Sequence, residues 1–428
     1  VLFYAIAPSI QLFGLNEFAV RFPSAFAGTL SILIFYLLVR KLSKNETLAL
    51  LSGFFLAISP WHIQFSRGGF ESTLGLLFAL LGTYLFAIGI ESKKTITLCL
   101  SSCLMVISMY SYHSFRIFTP LFVLALFFFH KIELSKIKRL LLIPLILSFI
   151  IFTPLAKFSL SEDGRSRATS QSVFKAETLE KEKLAFDQQS KKPFRFMSKY
   201  LYQKPVFYSY LAFKGYIEHF SPIFLFFKGD QTGRHSQVDM GQLFMFEAIL
   251  IPIGLLTLKK NKLNLIMVAW LLLAPIPAVF VQPTPHAHRA AQMVIPLAYF
   301  SALGAAYLLS KYKKWQFILL ASVIGVYCFL LFLHLLFVHY PKKFAPDWQD
   351  GYKQMVEKIK KHQDSFDKVY VTNINQVPYI YLLFYQAYDP ENFIALNGSE
   401  EKFDKYVFIP RDEDIYNKGR ILYVAPSW

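Results

Sequence analysis

The stretch ESTLGLLFALLGTYLFAIGIESKK, residues 71–94, runs from Ser72 to Ile90 without a charged residue. A helix rises about 1.5 Å per residue, so a run of this length matches a hydrocarbon layer about 30 Å thick. It opens on a carboxylate, Glu71, and closes on a lysine pair, Lys93 and Lys94. The same pattern recurs. Apolar runs lie near 19–39, 47–64, 71–90, 95–111, 115–130, 139–157, 241–258, 263–281, 289–310 and 315–338. The fold class expected is an all-α polytopic membrane bundle of about ten transmembrane helices. Pro144, Pro252, Pro275, Pro277 and Pro296 fall inside these runs, which membrane helices tolerate where neighbours satisfy the released backbone groups.

Composition agrees. The 428 residues are 54% hydrophobic and only 17% charged, too apolar for a soluble domain of this size. The net charge of +17 would suggest a nucleic-acid partner, but the positions of the cations argue against one. One set of connections carries Arg40, Lys41 and Lys44; Lys93 and Lys94; Lys131, Lys136, Lys138 and Arg139; Lys259, Lys260 and Lys262; and Lys311, Lys313 and Lys314. The alternate short connections carry Arg67, Arg116 and Arg289. Roughly fifteen cations against about three places the lysine-rich loops in the cytoplasm. The charge is thus a topology signal, and no nucleic acid is expected. Cys99, Cys103 and Cys328 sit inside apolar runs and read as small buried residues rather than a disulfide or metal set. The chain opens at Val1 in mid-pattern, so a fragment lacking its N-terminus is expected.

Two long segments then face outward. Residues 159–240 form an insertion whose first part, Ser159 to Lys192, is charged. Its second part, FRFMSKYLYQKPVFYSYLAFKGYIEHF, mixes aromatics with lysines as a helix lying in the interface does. Residues 341–428 read as a small extramembrane α/β module, with an amphipathic helix over Gln349–Lys361 and short strands at KVYV (368–371), KYVFI (405–409) and ILYVA (421–425). The domains expected are therefore 1–340, a membrane domain with the 159–240 insertion, and 341–428, an extracytoplasmic tail.

Five polar clusters mark the outer mouths. NEFAVRFPSA (16–25) sets Arg21 one turn beyond Glu17, which an i,i+4 ion pair anchoring the helix end explains equally well. SRGGFES (66–72) places Arg67 and Glu71 around a Gly-Gly turn, where a plain cap would also favour the carboxylate. YSYHSFR (110–116) holds His113 and Arg116, consistent with an aromatic belt and its anchor. KGDQTGRHS (228–236) holds Asp230, Arg234 and His235, and PTPHAHRAAQ (283–292) holds His286, His288 and Arg289. A His-x-His pair with no definite third ligand is weak evidence for metal. Together the clusters suit an anionic headgroup, since arginine is the usual partner of phosphate.

VLFYAIAPSIQLFGLNEFAVRFPSAFAGTLSILIFYLLVRK, residues 1–41, resembles the segment after the first outer loop of GT-C glycosyltransferases. The branch is that of the protein O-mannosyltransferases and the lipid A aminoarabinose transferase. The Arg67-to-Glu71 spacing and the start of a late span at His288, Arg289 and Pro296 also fit, and the resemblance covers most of residues 1–310. It implies inverting transfer of a sugar from a polyprenyl-phosphate donor to an acceptor glycan, lipid or protein on the outer face of the cell membrane. It also implies that the principal base is a carboxylate of the first outer loop, upstream of Val1. By position in the family, Arg21 would hold the lipid phosphate, Glu71 would be a second acid orienting acceptor or metal, and Arg289 would neutralise the leaving phosphate. Arg67 and His288 join them as substrate-binding residues, while His113, Arg116, Asp230, Arg234 and His235 are nominated from position alone. A divalent metal is left open. No P-loop or dinucleotide fingerprint is present, so no nucleotide cofactor is expected. Membrane lipids are the remaining partner. A transporter or lipid flippase, or an O-antigen ligase-like protein, is the alternative; a transporter would place polar groups at mid-membrane in paired halves.

An impermeant thiol reagent applied to intact cells should label a cysteine placed at Ser170 and spare one at Lys260. The reverse pattern would invert the topology.

Overall fold

A computed structural model describes residues 1–162, 164, 180, 181, 183–185, 188, 198–312, 314–373, 377–410 and 420–425. The chain forms two compact units, Val1–Ala7 with Arg21–Lys342 and Pro8–Val20 with Lys343–Trp428.

The first unit is helical. Its elements are α1 (Leu2–Phe13, which begins in it), α2 (Glu17–Ser43), α3 (Glu46–Ile58), α4 (Pro60–Arg67), α5 (Glu71–Ser92), α6 (Thr95–Ser111), α7 (Phe115–Phe129), α8 (Lys131–Lys136), α9 (Leu142–Leu160), α10 (Lys204–Glu218), α11 (Glu247–Leu256), α12 (Lys262–Leu273), α13 (Val294–Lys311) and α14 (Trp315–His334). Among the described residues, five helices are long and apolar enough to cross a membrane, and six if the bent pair α3–α4 counts as one. This is a helical membrane protein.

By that measure six of the ten expected spans qualify, the bent pair included. Each of the ten runs contains helix, but four are shorter apolar helices: α6, α7, α11 and Lys262–Ala278. Helix α1 was not anticipated. The 47–64 run is broken by a 57° bend. Pro60 has no N–H to continue the ladder, and the Ser59 hydroxyl instead accepts the His62 N–H at 3.4 Å. The 241–258 run is helical only from Glu247. The 263–281 run tightens to a 3₁₀ turn at Ile276–Ala278, which follows Pro275 and contains Pro277. Most of the charged part of the 159–240 insertion lies outside the described residues. Its aromatic part forms α10, with Val206, Tyr210, Phe213 and Ile217 exposed along one helical stripe.

Polar groups inside the bundle are satisfied by neighbouring helices, as an apolar surrounding demands. The Ser101 hydroxyl donates to the Gly82 carbonyl at 2.7 Å, and Tyr110 donates to the Ile151 carbonyl at 2.6 Å. Helices α11 and α13 cross through glycine. A β-carbon on Gly254 would lie 2.1 Å from the Phe300 carbonyl oxygen, and one on Gly304 would lie 2.1 Å from that of Leu250. Lysine-rich loops meet at one end: Lys41 pairs with Glu91, and Lys262 pairs with Glu133.

The second unit holds a four-stranded sheet in the order β2-β3-β1-β4, from β1 (Lys368–Thr372), β2 (Lys402–Phe403), β3 (Tyr406–Ile409) and β4 (Ile421–Val424). Strand β1 is parallel to β3 and β4, and β2 is antiparallel to β3. All three expected strand segments are strands. The expected amphipathic helix runs Tyr352–His362 and buries Val356 and Ile359 against Val369, Val371 and Phe408. Glu17 pairs with Lys353 at 3.1 Å.

Gly254→Leu should force two backbones apart and destabilise the detergent-purified protein by about 1–3 kcal/mol or more. Gly325→Leu, where nothing lies within 4 Å, should leave thermal stability unchanged, so equal behaviour of the two variants would refute the crossing.

Candidate functional site

The break between α3 and α4 decides what α4 presents. The Trp61 N–H donates to the Gln242 carbonyl at 3.1 Å, and its indole donates to the Ala287 carbonyl at 3.3 Å. Helix α4 is thereby fixed to both loops that carry the later clusters. One turn on, Gln64 is buried at 1% exposure. Its amide nitrogen donates to the Arg234 carbonyl at 2.8 Å and to the Tyr340 hydroxyl at 2.6 Å. Its oxygen accepts from Gln237 at 2.8 Å and from Arg67 at 2.9 and 3.1 Å. Tyr340 in turn donates to the Gly233 carbonyl at 2.9 Å, and the Arg67 guanidinium lies 4.6 Å from the Tyr340 ring centroid.

Arg21 joins this group. Gly69 turns with φ +77°, and a side chain there would meet Arg21 Cγ at 3.5 Å. Arg21 and Arg67 lie within electrostatic range of one another. The Ser24 hydroxyl ties α2 to the Phe70 carbonyl at 2.6 Å.

Phe65 and Phe70 lead to a second group. His288 stacks on Phe65 at 5.2 Å and on Tyr112 at 4.2 Å between ring centroids, with Phe70 edge-on at 4.8 Å. Arg289 is buried and lies against Tyr112. Glu71, the first residue of α5, and Asp230 are within electrostatic range of the same tyrosine. His113, beside Tyr112 at 4.0 Å, is close enough to His288 to affect its charge.

Asp230 is buried, and each of its oxygens takes a backbone N–H: Thr232 at 2.8 Å and Ala287 at 2.6 Å. Its carboxylate thus staples the 228–236 loop to the 282–290 loop. His235 Nδ1 stands 3.5 Å and His286 Nδ1 3.8 Å from the Asp230 Oδ2 atom. Neither nitrogen has a hydrogen-bond partner. Burial raises the Asp230 pKa, but the adjacent His235 and His286 imidazoles and the Thr232 N–H outweigh it and hold the acid below its ordinary value. Burial brings the His286 pKa down to about 3 against the pull of Asp230, and burial takes His288 well below the usual imidazole range. Both are therefore neutral imidazoles at neutral pH.

The site residues named from the sequence thus fall mostly into one neighbourhood of two groups. Arg21, Arg67 and the Arg234 backbone belong to the first. Glu71, His113, Asp230, His235, His288 and Arg289 belong to the second. The Arg234 side chain is exposed. Arg116, in the first turn of α7, packs near the Phe158 ring at 5.9 Å. The two histidines of the His-x-His pair diverge: His286 faces Asp230, whereas His288 is locked in an aromatic stack. Sequence reasoning missed Gln64, Gln237, Tyr340, Tyr112 and His219. A glutamine in the apolar run before Arg67 was the available signal for the first of these.

Over residues 1–157 the chain matches the model of the family described as dolichyl-phosphate-mannose-protein mannosyltransferase. That match agrees with the glycosyltransferase resemblance read from residues 1–41. No curated protein matches the chain. Among solved structures, a crystal structure of the Archaeoglobus fulgidus oligosaccharyltransferase, in complex with Zn and sulfate, is similar at 14% identity and a TM-score of 0.49. The match covers 90% of this chain and 52% of that one, so the chain spans about half of its length.

Gln64→Leu would strand the Gln237 amide and the Arg234 carbonyl, each at about 1–3 kcal/mol when buried. A clear fall in thermal midpoint is expected for it and none for the exposed Gln231→Leu; an unchanged midpoint for Gln64→Leu would remove its role.

Proposed function

We propose that this protein is a membrane glycosyltransferase that moves a sugar from a polyprenyl-phosphate donor to an acceptor hydroxyl or amine at the outer face of the cell membrane. The observation that carries the reading is that Phe65 and Phe70, in the segment that carries Arg67 and packs near Arg21, lie against the group of Arg289, Glu71, Asp230 and the His235, His286 and His288 imidazoles. With Arg21 beside Arg67, three guanidinium groups stand with two carboxylates there, an excess that suits a phosphate anion. The family match of residues 1–157 includes Arg21, Arg67, Glu71 and Arg116. The ion pairs Lys41–Glu91 and Lys262–Glu133 draw together loops assigned to the cytoplasm, which supports an outward-facing mouth.

In this reading the isoprenoid tail lies among lipids and the donor phosphate rests between Arg289, Arg67 and Arg21. Glu71 orients the acceptor. Its nucleophilic atom attacks the anomeric carbon on the face opposite the phosphate, forming the new glycosidic bond. The old carbon–oxygen bond breaks, its electron pair leaves with the phosphate, and the acceptor proton passes to a carboxylate base. In the family this reading resembles, that base lies in the first outer loop. The arginines act on charge that grows on the leaving phosphate as the bond breaks, so their contribution is larger in the transition state than before it.

Binding of a polyprenyl phosphate to the purified protein tests the phosphate site, with the matching polyprenol as reference. Arg289→Lys and Arg21→Lys each exchange a bidentate fork for a point charge. Each should weaken phosphate binding by about tenfold, roughly 1.4 kcal/mol, and leave polyprenol binding alone. Wild-type affinity in both variants would make these arginines interfacial anchors.

A further inference from the structure

The Asp230, His235 and His286 side chains make a constellation that phosphate recognition does not require. One ligand atom from each lies within 4.8 Å of the other two. A tetrahedral ion with bonds near 2.0–2.1 Å holds its ligand atoms about 3.3 Å apart. The two separations from Asp230 Oδ2, 3.5 and 3.8 Å, are slightly wider than that, and all three ligand atoms lie within 4.8 Å of one another. We propose that Asp230, His235 and His286 bind a divalent first-row transition metal, of which zinc is the type, through one carboxylate oxygen and two imidazole nitrogens.

Three features favour a metal over a plain staple. The donor set mixes nitrogen and oxygen, which suits zinc or iron and disfavours calcium and magnesium, ions that take oxygen ligands. The two Nδ1 atoms are buried without hydrogen bonds, and unsatisfied buried polar atoms are uncommon unless a ligand completes them. The surroundings hold the ligands in place. Both Asp230 oxygens are fixed by backbone N–H groups, and the His286 N–H donates to His219 Nε2 at 3.0 Å. His219 is set in turn by its Nδ1 donating to the Gly215 carbonyl at 2.7 Å. Such supporting bonds orient ligands in metal sites. The His235 and His286 side chains keep 13% and 14% of their surface exposed, so an ion can enter. Three protein ligands leave a position for a non-protein oxygen.

The test reads metal directly and does not depend on sugar transfer, so its failure leaves the transferase reading standing. Tag-free protein in detergent is stripped with chelator and titrated with Zn²⁺ against a chromophoric competitor. Wild type should take up one zinc per chain with submicromolar affinity. His235→Ala/His286→Ala removes side chains whose Nδ1 atoms hold no hydrogen bond in the structure, and should lower affinity at least a hundredfold. His334→Ala/His339→Ala, which removes the other close imidazole pair (3.1 Å), should change nothing. If the first double variant does not fold, the visible spectrum of Co²⁺-loaded wild type decides. Intense four-coordinate bands support the site, and weak six-coordinate bands overturn it. No zinc uptake by wild type, or uptake that survives loss of His235 and His286, also overturns it.

Discussion

The side-chain amide of Gln64 is almost wholly buried, and a buried amide must find its hydrogen bonds within the protein. It finds them on Arg67, the Arg234 carbonyl, Gln237 and Tyr340. Apart from Arg67, these come from segments far away in sequence, so the requirement of one side chain fixes where the 233–237 turn and the end of the last span lie. The bend at Ser59–Pro60 is the local condition for this. A straight helix through residues 47–64 would carry Gln64 along the axis of α3. The break lets α4 run at 57° to it, with Trp61 bonded to both polar loops. A proline that removes one backbone donor thus creates the short helix that organises the mouth.

Charge is distributed in keeping with this arrangement. The lysine pairs Lys41–Glu91 and Lys262–Glu133 are substantially exposed, and exposed ion pairs contribute little to stability. Their value is in orientation. At the mouth, Arg289 and Asp230 are both buried, where an ion is costly unless neighbours compensate it. Asp230 is compensated by the His235 and His286 imidazoles and by two backbone N–H groups, which together let it remain charged inside the fold. Groups held at such cost belong where charge is handled, and phosphate and metal are the two chemistries that the donors present can address.

Much of the first unit was legible in the sequence because hydrophobic run length and loop charge are local signals. The helices at 17–43, 71–92, 291–311 and 315–343 follow directly from them. The strands at 368–372, 406–409 and 421–424 were legible for the same reason. What local reading could not see was where an apolar run stops being helix. Pro275 and Pro277 were read as tolerated kinks, yet one precedes and the other lies within a 3₁₀ turn, and Pro60, which was not singled out, divides a span. The site was half legible. Arginine, histidine and carboxylate at helix mouths are conspicuous in one sequence. The residues that position them are not, since Gln64, Gln237, Tyr340 and His219 are ordinary residues whose importance lies in long-range pairing.

His286 and His288 show most clearly how a motif and a site differ. Read as His-x-His, they invite a shared metal. Two residues apart in a non-helical loop, side chains tend to point apart unless the backbone is extended, and the intervening Ala287 N–H is spent on Asp230. His286 consequently faces the carboxylate, while His288 enters the stack of Phe65, Phe70 and Tyr112. The stack has its own use. It fills the space between the arginine group and the Asp230 group with flat, closely packed rings, which exclude water from the bonds on either side. Screening falls as water is excluded, so in the proposed site Arg289 and Asp230 would act on a bound charge more strongly than at an open surface. The second histidine thereby sets the dielectric in which the first one works.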